Sequence, residues 1–308
     1  MSGRSRRALA VVCAAAALGG CGLGSTESAE DGVGLTVTRD FGRRPLLDEP
    51  RARAASGDSA LRVLQRSARV RTRPGGVVDA IDGVAGAGRL AWSLYVNGIR
   101  SDDDGGGAAA VEVHGGDRLW WDLHDADIPA VVGSFPEPFL HGSGGRRLPV
   151  RVECDDPRAG PCDVVARKLI ALGVPAGRSA ISQSAADDSL RVLVGPWDRL
   201  RGGDAESASI DHGPRASGVF ARFDASARRL VVLDERGRPA RTLGPRTGLV
   251  AATRATDRQP VWFVTGTDRA GVASAARAFD ESTLDDRLAL AISDDLPVSV
   301  PLAPAGPR

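Results

Sequence analysis

Two alternating runs in the first half of the chain place the strongest limit on its fold. Trp92, Leu94 and Val96 alternate with Ser93, Tyr95 and Asn97, and the run stops at Asn97-Gly98. Alternation with period two puts one set of side chains on each face of a strand. Asn-Gly adopts the positive φ angles of a type I′ hairpin turn at low strain, so the chain is expected to reverse there. Residues 118–124 alternate again after a turn at Gly115-Gly116-Asp117, setting Leu119, Trp121 and Leu123 against Trp120, Asp122 and His124. Upstream, residues 35–39 read as a half-buried strand and 45–53 as an extended stretch. Asp58 offers an N-cap to a short helix with Leu61, Leu64 and Ala68 on one face, and 77–81 is a further strand candidate. Two strands, a helix and then more strands predict a small β-grasp-like sheet crossed by one helix.

Residues from about 35 to 125 resemble the transcobalamin-like C-terminal domain family. The resemblance rests on Asp58-Ser59-Ala60-Leu61-Arg62-Val63-Leu64, Trp92-Ser93-Leu94-Tyr95-Val96-Asn97-Gly98 and Gly115-Gly116-Asp117-Arg118-Leu119-Trp120-Trp121, and it covers under a third of the chain. In animal relatives such a domain closes over cobalamin opposite a large helical domain, whereas most bacterial members have no established ligand. This chain has no room for that helical partner, so the resemblance implies a cobalamin-like corrinoid only as a suggestion, and no cofactor follows from the residues themselves.

The N-terminus predicts where the protein resides. Arg4, Arg6 and Arg7 precede an apolar run from Ala8 to Leu18, which is too short to cross a bilayer as a helix and reads as a secretory leader. Leu18-Gly19-Gly20-Cys21 resembles the lipobox of bacterial lipoproteins. The resemblance implies cleavage before Cys21 and acylation of its thiol and new amino terminus. Acyl chains buried at roughly 0.8 kcal/mol per CH₂ would hold the body outside the cytoplasm on a membrane. The alternative is a plain signal cut nearby that leaves Cys21 unmodified.

With 40 basic and 39 acidic residues the formal charge is +1, which gives no nucleic-acid footprint. Two of the four cysteines fall in or at the leader, leaving Cys154 and Cys162. In an oxidising compartment this remaining pair reads as a disulfide, because its spacing fits neither Cys-x-x-Cys nor a zinc knuckle.

A small, polar tether is expected over 22–34, between the leader (1–21) and the first module (35–127). The connector over 128–148 is apolar and proline-rich, predicted to be extended, with its phenylalanines and valines in the crease between modules. Residues 149–295 alternate strand and helix patterns and predict a mixed α/β sandwich, followed by a Pro/Ala-rich tail over 296–308. In that module Asp163 is the expected cap of one helix and Asp268 of another, and 219–223 an expected strand. The fold class expected for the whole is α+β.

Few motifs carry chemistry. Gly266-Thr267-Asp268-Arg269-Ala270-Gly271 lacks the Gly-Lys-Ser/Thr of a phosphate loop and reads as a tight strand-to-helix turn. Asp122, His124, Asp125 and Asp127 could ligate a divalent ion, but charged strand ends are normally solvated, so no metal site is assigned. His212 and Ser217 are loop residues without a catalytic motif, and no catalytic residue is assigned. Trp120 and Tyr95 share the face away from Leu119, Trp121 and Leu123; with Arg118 and Asp122 they form either an amphipathic ligand platform or a surface covered by the connector or second module. The expected function is therefore a non-catalytic, membrane-anchored extracytoplasmic lipoprotein that binds a small molecule, cofactor or glycan in or near the crease. The alternatives are an envelope scaffold that docks a partner protein, and a hydrolase or transferase in the second module.

Overall fold

The computed structural model describes residues 32–101, 107–141, 147–182, 188–255 and 258–303. The leader, Cys21 and the tether to residue 31 lie outside the described residues, as do 102–106, 142–146 and the end of the tail. The protein is α+β, with two sheet-rich modules. No helix among the described residues is long and apolar enough to cross a membrane.

In the first module β1 (Val33–Arg39) and β2 (Arg44–Ala52) form a hairpin, followed by α1 (Ala60–Ser67). A small separate sheet comprises β3 (Val70–Arg73), β4 (Val77–Ile81) and β5 (Val84–Ala85). β6 (Leu90–Val96) reverses into the short β7 (Ile99–Arg100), and a helical turn, α2 (Gly107–Ala110), leads to β8 (Arg118–Asp125). The main sheet has the order β2-β1-β8-β6-β7, with its first and last long strands, β1 and β8, parallel at the centre. This is the expected β-grasp-like arrangement, and α1 packs Val63 and Leu64 into its core beside Trp92, Leu94 and Trp121. Asn97 and Gly98 have φ of 51° and 73°, as the hairpin turn requires.

Two local expectations are corrected. The sheet begins at Val33, inside the segment read as tether, because Val33 is fully buried in this core. The N-cap of α1 is Ser59, whose hydroxyl accepts the Arg62 N–H. Asp58 instead accepts the Ala55 N–H and the Arg66 guanidinium, and that arginine holds its carboxyl below the usual range.

The connector is part of the folded body. It contains a cis peptide at Phe135-Pro136 and a turn of helix, α3 (Glu137–Leu140), rather than being extended throughout. Phe135 and Phe139 are fully buried and pack against Trp262 and Phe279 of the second module.

The second module opens with β9 (Val150–Cys154), α4 (Gly160–Ala171), β10 (Ala176–Ala180) and β11 (Leu190–Pro196). An excursion follows through α5 (Trp197–Leu200), α6 (Ala205–Asp211), α7 (Pro214–Ser217), β12 (Ala221–Phe223), β13 (Leu230–Leu233) and β14 (Pro239–Leu243). The chain re-enters the main sheet at β15 (Gly248–Thr253) and β16 (Val261–Gly266), then forms α8 (Arg269–Arg277) and α9 (Glu281–Leu284). It finishes on β17 (Ala289–Ser293) and β18 (Leu296–Val300). The order is β10-β9-β11-β16-β15-β17-β18, parallel over the first four strands and antiparallel beyond. Strands buried on both faces read as continuous apolar runs. Val192 and Val194 accordingly face the core under α4 and α8, while Leu193 joins the core under β12–β14 and the first module.

Three further expectations change here. Helix α4 starts at Gly160 with Ala159 as N-cap, so Asp163 lies in its first turn and pairs with Arg167 and Arg178. The strand expected over 219–223 spans only Ala221–Phe223. The tail expected from residue 296 supplies β18; Pro297 is tolerated because this is an edge strand, where a missing N–H breaks no interior ladder.

Cys154 and Cys162 form the expected disulfide, tying the end of β9 to the first turn of α4. For a sequence separation of 8, chain entropy predicts a contribution of about 2.5 kcal/mol. Urea unfolding of the Cys154→Ser/Cys162→Ser variant should show a loss of that size; an unchanged midpoint would refute it.

Candidate functional site at the seam between the modules

The residues selected by alternation on β6 and β8 do share one face, but that face is covered. Tyr95 is 0% exposed and Trp120 3%. Their rings stack at 4.6 Å, the Tyr95 hydroxyl donates to the Ala130 carbonyl (2.5 Å) and Trp120 Nε1 donates to Thr38 Oγ1 (2.8 Å). Burial pushes the Tyr95 phenol well above its ordinary range. The connector lies directly on the indole, since a Cβ added at Gly133 would sit 2.3 Å from Trp120 Cζ3. An exposed Trp–Tyr platform is therefore excluded. Both rings belong to the core joining the modules, with Ile128, Ala130, Leu193 and Phe220, because covering two large aromatic faces removes much apolar area from water.

Asp122 is buried in the same seam and organises it. Its carboxylate accepts from the Thr38 hydroxyl (2.5 Å), Phe41 N–H (3.0 Å) and Gly42 N–H (3.0 Å), and His124 Nδ1 lies 2.8 Å from Oδ2. These bonds hold the β1–β2 turn in a left-handed run, with φ of 60°, 62° and 80° at Asp40, Phe41 and Gly42. Such a conformation is costly for a bulky residue. Phe41 is kept there by stacking on His124 (4.7 Å) and by edge contact with Phe220 of the second module (4.5 Å).

Ser93 Oγ lies 3.4 Å from His124 Nε2, so hydroxyl, imidazole and carboxylate follow one another as in a nucleophilic triad. The seam covers all three, with Ser93 7% exposed, and Phe41 lies over the imidazole. The arrangement is a buried polar network tying β6, β8 and the β1–β2 turn together. The pair His212 and Ser217 is not joined: the Ser217 hydroxyl donates to the Gly213 carbonyl and accepts the Val219 N–H, whereas His212 is exposed. In the 266–271 turn, Asp268 accepts the Gly271 and Arg246 N–H groups and so caps α8.

Arg118 reaches from β8 to the edge of the seam. Its Nε lies 3.2 Å from Glu137 Oε1 and Nη2 lies 3.1 Å from Asp285 Oδ1; Ser134 donates to Glu137 and accepts the Asp286 N–H. Burial alone would lower the Arg118 guanidinium, but the acidic groups around it carry it above its ordinary range. Burial likewise raises Glu137.

Beside this cluster a cavity of about 490 Å³ opens between the modules. Phe41, Gly42 and Arg43 form one wall, and Asp285, Asp286 and Arg287 with residues 299–303 form the other. Burial, then the adjacent Asp285 charge, push the Asp286 carboxyl up to about 7, against the pull of Arg118 and a hydrogen bond with Thr36. Nothing in the local sequence signalled Asp285 or Asp286 as site residues. The available clue to the facing wall was Phe41, a bulky aromatic between two strands where a turn residue is expected.

The Asp286 shift has a consequence for stability. An unfolded Asp ionises near 3.8, whereas the folded group keeps its proton to about 7. The folded state therefore binds more protons between those values, and its stability falls as pH rises through that window. Asp286→Asn should remove this slope and gain about 2 kcal/mol above neutrality, a figure reduced for solvent screening of a partly exposed turn. Parallel pH profiles for wild type and variant would contradict the assignment.

No protein-family model matches this chain, and no curated protein is similar to it.

Proposed function

We propose that this chain is a non-catalytic, extracytoplasmic binding protein, anchored to a membrane through acylated Cys21, that takes a small molecule, cofactor or glycan at the rim of the seam. The observation that carries the reading is the cavity of about 490 Å³, with walls from both modules and a carboxyl titrating near 7 at its edge. Its volume lies in the range of small-molecule sites, and a perturbed acid in a cleft is a physical marker of function. Arg43 and Arg287 supply donors, Asp285 and Asp286 acceptors, and Phe41 an apolar contact. The Cys154–Cys162 disulfide suits an oxidising compartment, in keeping with the leader sequence.

The anchor is tested by detergent-phase partition with intact-mass measurement: a mass gain at Cys21 and its loss in Cys21→Ser are expected, and an unmodified thiol on a freely soluble chain sinks this half of the reading. The cavity is tested by thermal shift against hydroxocobalamin, as the corrinoid probe, and a panel of oligosaccharides and small metabolites. A compound that raises the midpoint of the wild type and not of Arg287→Ala supports the site; equal shifts in both proteins place binding elsewhere.

A further inference from the structure

A second crevice, separate from the seam, lies in the second module at the carboxyl ends of its parallel strands. β9, β11 and β16 run parallel and end together at Asp155, Pro196 and Thr267. Between β9 and β11 the connections diverge. From β9 the chain passes through α4 to β10 on one side, and from β11 it continues to the strands on the other. Where a parallel sheet divides in this way, the loops part and leave an opening that ligands use. Here the strand ends also approach closely, since a Cβ added at Gly195 would lie 2.9 Å from the Asp155 Cβ. The disulfide pins Cys162, in one wall, to the strand that leads into Asp155.

The crevice has two adjoining parts of different chemistry. The wider part, about 390 Å³, is lined by Arg199, Arg228, Asp198 and Asp268. The narrower part, about 210 Å³, is mainly apolar, with Cys162, Val194 and Val272. Asp155 and Arg269 line both. Asp268 is occupied in capping α8. The other charged side chains are not occupied: among the described residues Asp155, Asp198, Arg199, Arg228 and Arg269 have neither an ion pair within 4.0 Å nor a side-chain hydrogen bond. Charges of both signs thus surround one opening without neutralising each other. The α4 amino terminus, which has no side-chain cap, adds positive potential on the same side.

We infer that this crevice binds a zwitterionic ligand of the amino-acid or short-peptide class, with Arg269 taking the carboxylate, Asp155 the ammonium and the narrow apolar part an aliphatic side chain. A ligand with charges of both signs satisfies both sets of unpaired groups, whereas a simple anion leaves Asp155 and Asp198 unfavourably placed beside it.

The test is isothermal titration of the purified protein with L-leucine and L-alanyl-L-leucine, and with the N-acetylated and C-amidated forms of each. Binding of at least one free zwitterion is expected, with blocking of either end weakening it about tenfold or more. Asp155→Asn and Arg269→Gln, both exposed, should each weaken binding by a similar factor with no change in thermal midpoint. The inference fails if blocked forms bind as well as free ones, if the variants bind like the wild type, or if neither zwitterion binds at about 10 mM.

Discussion

Replacing Asp122 by alanine is expected to destabilise the whole protein by about 3–5 kcal/mol, the range for removing one member of a buried charged network. The carboxylate accepts hydrogen bonds from Thr38 of β1 and from Phe41 and Gly42 of the β1–β2 turn, and contacts His124 on its own strand. Without it, the buried Phe41 N–H and Thr38 hydroxyl and the half-buried Gly42 N–H lose their acceptor. The left-handed Phe41 then has no hydrogen bond to offset its strain. Because Phe41 packs on Phe220, the loss should extend across the seam, so both modules unfold earlier in urea. Asp122→Asn retains an acceptor oxygen and should cost less. A variant Asp122→Ala whose midpoint stays within error of the wild type would show that the seam does not depend on this group.

The second large effect is expected at Arg191. Its guanidinium binds both oxygens of Glu153 (3.2 and 3.0 Å), Asp204 at the start of α6 (2.9 Å) and the Ser182 carbonyl (3.2 Å). Glu153 is 0% exposed, and its remaining cation, Arg151, touches one oxygen at 3.3 Å. Arg191→Met therefore strands a buried carboxylate and should cost about 3 kcal/mol, whereas Arg191→Met/Glu153→Leu should recover most of the loss. Single and double variants with equal stability would mean that the carboxylate is not destabilised by losing its partner.

Much of the first module was legible because its signals are local. The alternation of residues 92–97 and 118–124, and the positive φ angles at Asn97-Gly98, depend on neighbours within a few residues, and the observed strands and turn match them. Adjacent capping residues were harder to resolve. Asp58 and Ser59 both suit an N-cap, and Arg66, about two turns away along α1, draws Asp58 into an ion pair and leaves the cap to Ser59. The last strand was misread as tail because Pro297 argues against a strand, unless the strand lies at a sheet edge, which is a property of the assembled sheet.

The candidate sites divide in the same way. Alternation correctly separated Trp120, Tyr95 and Asp122 from the core of their own module, but could not say what meets that second face. Gly133, Ala130 and Phe220 cover it, and each lies far from β6 or β8 in sequence or beyond a turn. The titration of Asp286 near 7 likewise arises first from burial in the assembled fold and then from its neighbour Asp285, against the pull of Arg118, well over a hundred residues away.

The sequence alone determined the strand periods, the hairpin and the pairing of Cys154 with Cys162, since each rests on backbone preference or on residue identity. Tertiary structure decided which faces are dry, which charges are paired and where cavities open. Those properties depend on the solvent and field contributed by distant segments, and no short stretch of chain carries that information.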